Sequence, residues 1–215
     1  MKVLITGFGP FDGGSNASEA LVRAFEKRGA TASGLDAETL ILPVDTERAD
    51  SLLDEAVRRF DPDRLLLCGQ AAGRNRLCLE KIATNRRNFG VPDSTGAEIR
   101  DLPVHSSGPE SYIATWPDLD GTAAALNAAG IPAAVSEDCG THLCNQLLYL
   151  ALHAAETNRA RVTATFLHVP LLPEQVIAGE PAALRHPACP YMPLSMTLKA
   201  LDLVLARAGR LEAAA

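Results

Sequence analysis

The chain has 215 residues, of which 47% are hydrophobic, 5% aromatic and 21% charged. At roughly 150 residues per domain that is one large domain or two small ones, and the apolar share excludes wholesale disorder. With 26 acidic against 20 basic residues the formal net charge is −6, which argues against a nucleic-acid partner.

No apolar run approaches the ~18 residues that would span a bilayer, so no membrane role is expected. Met1 to Gly7 is basic then apolar, but far too short for a secretory signal, and the expected address is cytoplasmic. The cysteines at 68, 78, 139, 144 and 189 are five, an odd and thin set without Cys-x-x-Cys spacing. Reduced, mostly inert thiols are expected rather than a disulfide framework. Cys139, His142 and Cys144 cluster, yet no second ligand pair stands at finger or ribbon spacing, so no metal is expected.

Strands and helices alternate along the chain. Lys2 to Thr6 reads as a strand ended by the Gly- and Pro-rich residues 7–14. A helix follows, with Ser18 as its N-cap, Leu21, Val22 and Phe25 on one face and Gly29 as its stop. Glu38 to Leu42 is a second strand, and Thr46 caps a helix with Leu53, Val57 and Phe60 inward. Leu65 to Cys68 is a continuous apolar run, as in a strand covered on both faces. Leu77 to Ala83 is a further strand carrying Glu80, and residues 86–119 read as irregular. Residues 122–129 form a helix and Ile131 to Val135 a strand. Leu143, Leu147, Leu150, Ala151 and Ala154 then mark a largely buried helix. Val162 to Val169 is a strand, and a last helix runs from a Ser195 cap through Leu198, Leu201, Leu205 and Ala208 to a Gly209 stop. The pattern predicts an α/β fold: one compact domain over residues 1–215, with a mostly parallel central sheet and helices on both faces.

Three residues could carry chemistry. Cys144 falls in the first turn of a buried helix, where free N–H groups and the helix dipole favour a thiolate and an oxyanion; equally, it fits a small core residue. His168 lies at the carboxyl end of a strand, where open α/β sheets place their sites, and could serve as base. A histidine satisfied by a backbone carbonyl fits as well. Glu80, among apolar neighbours, must be paired, solvated or protonated. It fits the acid of a triad or a surface residue on an edge strand. The Gly7-Phe8-Gly9 loop fits a nucleotide cradle poorly. The next glycine, Gly13, is one position late, no P-loop lysine follows, and Pro10 removes an N–H. Phe8 and Phe11 there suit an apolar pocket wall or a plug at the sheet end.

Thr6-Gly7-Phe8-Gly9-Pro10-Phe11, Gly69-Gln70-Ala71-Ala72-Gly73-Arg74, Glu80 with Ile82-Ala83, Val91-Pro92-Asp93, Cys144-Asn145 and His168-Val169-Pro170-Leu171-Leu172-Pro173-Glu174-Gln175 together resemble the pyroglutamyl peptidase I family. The family is also called pyrrolidone carboxyl peptidase. The motifs come in the family's order over nearly the whole chain. The resemblance implies a cofactor-free cysteine peptidase that removes an N-terminal pyroglutamyl residue from peptides and forms dimers or tetramers. It implies Cys144 as nucleophile, His168 as base then acid, and Glu80 orienting His168. Phe8 and Phe11 would sandwich the pyrrolidone ring, with Gln70 beside its lactam.

The chain departs from the family at Asp12, where a glycine is usual. It departs also at Cys139, where the family has alanine, and at His142, where an aromatic residue lines the ring pocket. In Pro190-Tyr191-Met192-Pro193-Leu194-Ser195-Met196 one residue is inserted relative to the family. His142 is expected to stay neutral in that slot, with a ring that still packs on a lactam. Two other classes are a non-catalytic peptide-binding relative and a nucleoside- or nucleotide-handling α/β protein. The joint presence of Cys144, His168 and Glu80 favours the peptidase.

Overall fold

The structure, a computed structural model, describes residues 1–29, 35–158, 161–186 and 188–213. Its elements in chain order are β1 (Lys2–Phe8), α1 (Ala17–Arg28), β2 (Asp36–Leu42), α2 (Thr46–Phe60), β3 (Arg64–Gln70), β4 (Leu77–Glu80), β5 (Ile82–Thr84) and β6 (Ser111–Ile113). Then follow α3 (Leu119–Ala128), β7 (Ala133–Ser136), α4 (Leu143–Thr157), β8 (Thr163–Val169), α5 (Pro173–Ile177), α6 (Pro181–Leu184) and α7 (Leu194–Ala213). Six strands form one sheet in the order β2-β1-β3-β8-β4-β7, and β5 pairs with β6 in a small second sheet. Among the described residues of the main sheet, only the β4–β8 pairing is antiparallel.

The apolar runs of the central strands follow from burial on both faces. Val3, Ile5, Leu66, Cys68, Leu77, Leu79 and Leu167 pack toward α1, α3 and α7. Their alternates Leu4, Leu65, Leu67 and Phe166 pack toward α2 and α4. Glu80 and His168 belong to this second face, whereas Gln70, at the end of β3, turns to the α1 side. Around β1 the chain crosses one way to β2 and the other way to β3. That leaves a crevice at the carboxyl ends of β1 and β3, the usual binding position in an open α/β sheet.

Several boundaries differ from the sequence expectation, each for a tertiary reason. Leu77 to Ala83 is not one strand. The chain leaves the main sheet at Lys81, because the buried Asn145 side chain of α4 draws Thr84 aside: it accepts from the Thr84 N–H and donates to the carbonyls of Thr84 and Arg86, at 2.8, 2.8 and 2.9 Å. The diverted segment pairs with β6, which lies inside the stretch read as irregular. Asn16, not Ser18, caps α1, since Asn16 Oδ1 accepts from the Ser18 N–H. Ser18 itself is buried and its hydroxyl accepts from the Phe8 N–H, tying helix to strand. Asp45 rather than Thr46 caps α2. The last helix already includes Ser195 and runs through Gly209 to Ala213. One interior glycine costs about 1 kcal/mol, too little to stop a helix packed along its length. The short helices α5 and α6, each opening on a proline, had no periodicity long enough to reveal them.

Candidate active site

On β8, Phe166 and His168 project from the α4 side of the sheet, with ring centroids 4.6 Å apart. The parallel β3–β8 register sets Gly69 beside His168, and the antiparallel β4–β8 register sets Glu80 beside Phe166. Glu80 thus lies one step deeper than His168 on the same face, a diagonal neighbour within reach of the ring. Its carboxylate meets the imidazole: His168 Nδ1 and Glu80 Oε1 are 2.7 Å apart. Glu80 is fully buried and His168 nearly so.

The thiol of Cys144 comes close to the sheet at Gly69, the β3 neighbour of His168. A Cβ at Gly69 would stand 3.0 Å from Cys144 Sγ and 2.6 Å from Phe166 Cζ. The missing side chain leaves room for the sulfur, delivered by the first turn of α4, on the same face as His168. His142 holds the N-cap position of α4 without making a side-chain cap bond. The first N–H groups of the helix are therefore left to bind an oxyanion.

Burial sets the protonation states. It pushes the Cys144 thiol up to about 12, with the Glu80 charge adding to the effect. It also holds His168 below the ordinary imidazole value, against the pull of its Glu80 hydrogen bond. At rest the thiol and the imidazole are consequently both neutral. With the carboxylate of Glu80 at Nδ1, the ring proton belongs on Nδ1, and the lone pair of Nε2 is available.

Two residues at this centre were not foreseen in these roles. Arg74 Nη1 donates to Glu80 Oε1 at 2.6 Å, and its Nη2 donates to the Asp138 carbonyl at 2.6 Å. Cys139, expected as an inert core or surface thiol, is buried with Glu80 and His168; donor atoms of the three lie within 4.8 Å of one another. Zinc uses ligands of these types. Here, however, Glu80 Oε1 is already shared by Arg74 and His168, and a dication would face the guanidinium, so the set fits acid–base work better than metal binding. Arg74 lies inside a quoted motif and could have been singled out; nothing in the sequence marked Cys139 as a neighbour of Glu80.

Of the residues expected to line the ring pocket, His142 and Phe11 come together, and Phe89 joins them. His142 packs on Phe89 at 4.0 Å and on Phe11 at 5.6 Å between ring centroids. Its Nε2 donates to the Val91 carbonyl at 3.0 Å. Burial lowers its basicity, more than that hydrogen bond raises it. Phe8 is buried at the end of β1, whereas Phe11 is only half-buried. Phe11 also lines a cleft of about 760 Å³ between residues 10–15 and 91–94. That cleft is not lined by Cys144 or His168 but meets their site through Phe11 and Val91. Gln70 ends β3; its Oε1 accepts from the Ala17 N–H and from Gln175 Nε2, at 2.8 and 2.9 Å. Its own amide hydrogens make no bond among the described residues.

The 7–14 loop does not form a phosphate cradle. Phe11 and Gly14 exchange both backbone hydrogen bonds, Gly9 N–H goes to the Leu42 carbonyl, and the Glu180 carboxylate accepts from the Ser15 N–H. An anion would meet closed amides and a negative charge. Asp12, where the family has glycine, sits at φ 53°, in the left-handed region glycine adopts freely, and is paired with Arg185.

Comparison with known proteins agrees with this geometry. The model of the family described as pyroglutamyl peptidase matches residues 1–210. A pyrrolidone-carboxylate peptidase of Streptococcus pyogenes is 36% identical over 177 residues, 82% of this chain and 81% of its own length. The crystal structure of a pyrrolidone carboxyl peptidase from Fervidobacterium islandicum superposes with a TM-score of 0.89 at 32% identity, covering 98% of this chain and 99% of that one. Pyroglutamyl peptidase I of Bacillus amyloliquefaciens superposes at 0.86 with 30% identity, covering 97% of each chain. A match this continuous, in sequence and in fold, means that the chain belongs to the pyroglutamyl peptidase family.

Proposed function

We propose that this protein is a cysteine exopeptidase that releases the N-terminal pyroglutamyl residue of peptides, with Cys144 as nucleophile, His168 as base and acid, and Glu80 as the group that orients His168. The contact of Glu80 with His168 Nδ1, with the Cys144 sulfur in the space left by Gly69, carries this reading. Cys139 is the weaker nucleophile candidate. It is nearly fully buried, whereas Cys144 is only partly so, and it precedes the helix whose N–H groups would hold an oxyanion.

The resting neutral pair implies that proton transfer accompanies attack. As Cys144 Sγ bonds to the carbonyl carbon joining pyroglutamate to the next residue, its proton passes to His168 Nε2. The carbonyl oxygen becomes an oxyanion at the start of α4, and Glu80 stabilises the imidazolium. His168 then protonates the departing amine, leaving a thioester. A water loses its proton to His168 and attacks the thioester, releasing pyroglutamate and restoring the thiol. Specificity follows from the slot formed by Phe8, Phe11, Phe89 and His142, with the Gln70 amide free to donate to the lactam carbonyl. A charged glutamate or free amino terminus would be left unpaired there, at a cost of several kcal/mol.

The reading includes a cytoplasmic homo-oligomer, dimer or tetramer. Five free cysteines suit a reducing compartment, and the exposed Ile113, Ile177 and Leu184 offer apolar surface to a second copy. No described helix is long and apolar enough to cross a membrane. The decisive assay is hydrolysis of pyroglutamyl- and prolyl-arylamides sharing one leaving group. Wild type should cleave the first and not the second, Cys144→Ala should be inactive, and Cys139→Ala should stay within about threefold of wild type. An active Cys144→Ala would refute the nucleophile assignment; equal cleavage of both substrates would refute the lactam pocket.

A further inference from the structure

Glu80 is fully buried, and its two oxygens are treated unequally. Oε1 takes both the Arg74 guanidinium and the His168 ring, whereas Oε2 has no hydrogen-bond partner among the described residues. A carboxylate in that position keeps its charge only if a cation stands against it. His168 cannot be that cation at rest, because burial keeps it neutral. Arg74 can: it is anchored by Nη1 to Glu80 and more weakly to Ser136 Oγ at 3.3 Å, and by Nη2 to the Asp138 carbonyl.

We infer that Arg74 is a positioning residue for the base: it holds Glu80 as a carboxylate aimed at His168 Nδ1, and so fixes the ring tautomer that leaves Nε2 free for Cys144. The inference rests on the peptidase reading above. Without the guanidinium, the neutral form of Glu80 is favoured, and a neutral acid can donate to Nδ1. The ring proton then moves to Nε2, which faces the thiol as a donor and cannot act as base.

The groups facing the ring act in opposite directions. Glu80 and Asp138 favour the imidazolium, Arg74 opposes it, the thiol of Cys139 lies within 4.8 Å, and that of Cys144 stands close to Gly69, the β3 neighbour of His168. Cys78 stands opposite His168 in the β4–β8 register. Removing Arg74 relieves one repulsion but also neutralises Glu80, the strongest favourable partner, so the net result is a poorer base.

A double-mutant cycle tests this. Arg74→Met should lower kcat on a pyroglutamyl-arylamide by about a hundredfold, with KM within about threefold, as expected for loss of a general base. Arg74→Lys, which restores charge but not the two-pronged grip, should recover most of that loss. In a Glu80→Gln background Arg74→Met should have little further effect, because its target is gone. Nitrogen NMR of His168 should show Nδ1–H in wild type and Nε2–H in Arg74→Met. A loss of equal size in the wild-type and Glu80→Gln backgrounds, or an unchanged tautomer in Arg74→Met, would overturn the inference. The peptidase reading fails separately, through an active Cys144→Ala.

Discussion

Replacing Gly69 with alanine probes the one contact on which the placement of the nucleophile depends. The new Cβ would stand 2.6 and 2.8 Å from ring carbons of Phe166 and 3.0 Å from Cys144 Sγ. Phe166 is fully buried between the sheet and α4 and has nowhere to go, so β3 must back away from the ring, and the sulfur and the first turn of α4 must yield with it. Contacts between such atoms settle near about 3.5–4.0 Å, so the thiol moves by roughly 0.5–1 Å. Overpacking of this kind costs about 1–3 kcal/mol, which lowers Tm by about 2–12 °C for a chain of this size. A misplacement approaching 1 Å costs about a hundredfold in rate. Thermal unfolding and kcat/KM on a pyroglutamyl-arylamide read the two effects together. A Gly69→Ala protein with wild-type Tm and activity within about threefold of wild type would refute the location of Cys144 argued here.

The remaining predictions follow from burial and charge. Because burial lowers the basicity of His168, the ring stays neutral to lower pH than an exposed histidine, and the acid limb of kcat/KM should have its midpoint below 6.5; a midpoint above that value would contradict a buried base. Substituting His142→Phe should lower KM and flatten its rise at acid pH, since no cation can then form in the slot, while the iodoacetamide rate at Cys144 stays within about threefold. Collapse of alkylation at unchanged KM would make His142, not His168, the partner of the thiol. Asp50, raised to about 6 from 3.8 by burial, has Oδ1 unpartnered and Oδ2 accepting from Gln146. Its contribution to stability is present below pH 3.8 and lost as pH rises through about 6. Asp50→Asn should therefore raise stability at pH 8 by at most about 3 kcal/mol, less what solvent screening removes, and by nothing at pH 4. Equal gains at both pH values would show that the charge is not the cause.

Local pattern alone was enough to determine the helices and strands that build the sheet, because each has a periodicity set by which side it buries. The i, i+4, i+7 spacing from Leu143 and the unbroken run Leu65 to Cys68 are direct consequences of packing on one face or on two. Cys144, His168 and Glu80 were legible as residue types in the right kinds of element, and the family resemblance joined them; nothing local to His168 or Glu80 said that those two meet. That meeting depends on register. The antiparallel insertion of β4 sets Glu80 beneath His168, and the parallel pairing of β3 sets a glycine where the sulfur must pass. Asn16 prevailed over Ser18 as a cap because Ser18 is taken by a strand N–H from outside its helix. Leu77 to Ala83 broke in two because Asn145, 61 residues beyond Thr84, holds the backbone there. Arg74 and Cys139 joined the centre for the same kind of reason. A charge or a thiol has a function only once its neighbours are known, and those neighbours are distant in sequence.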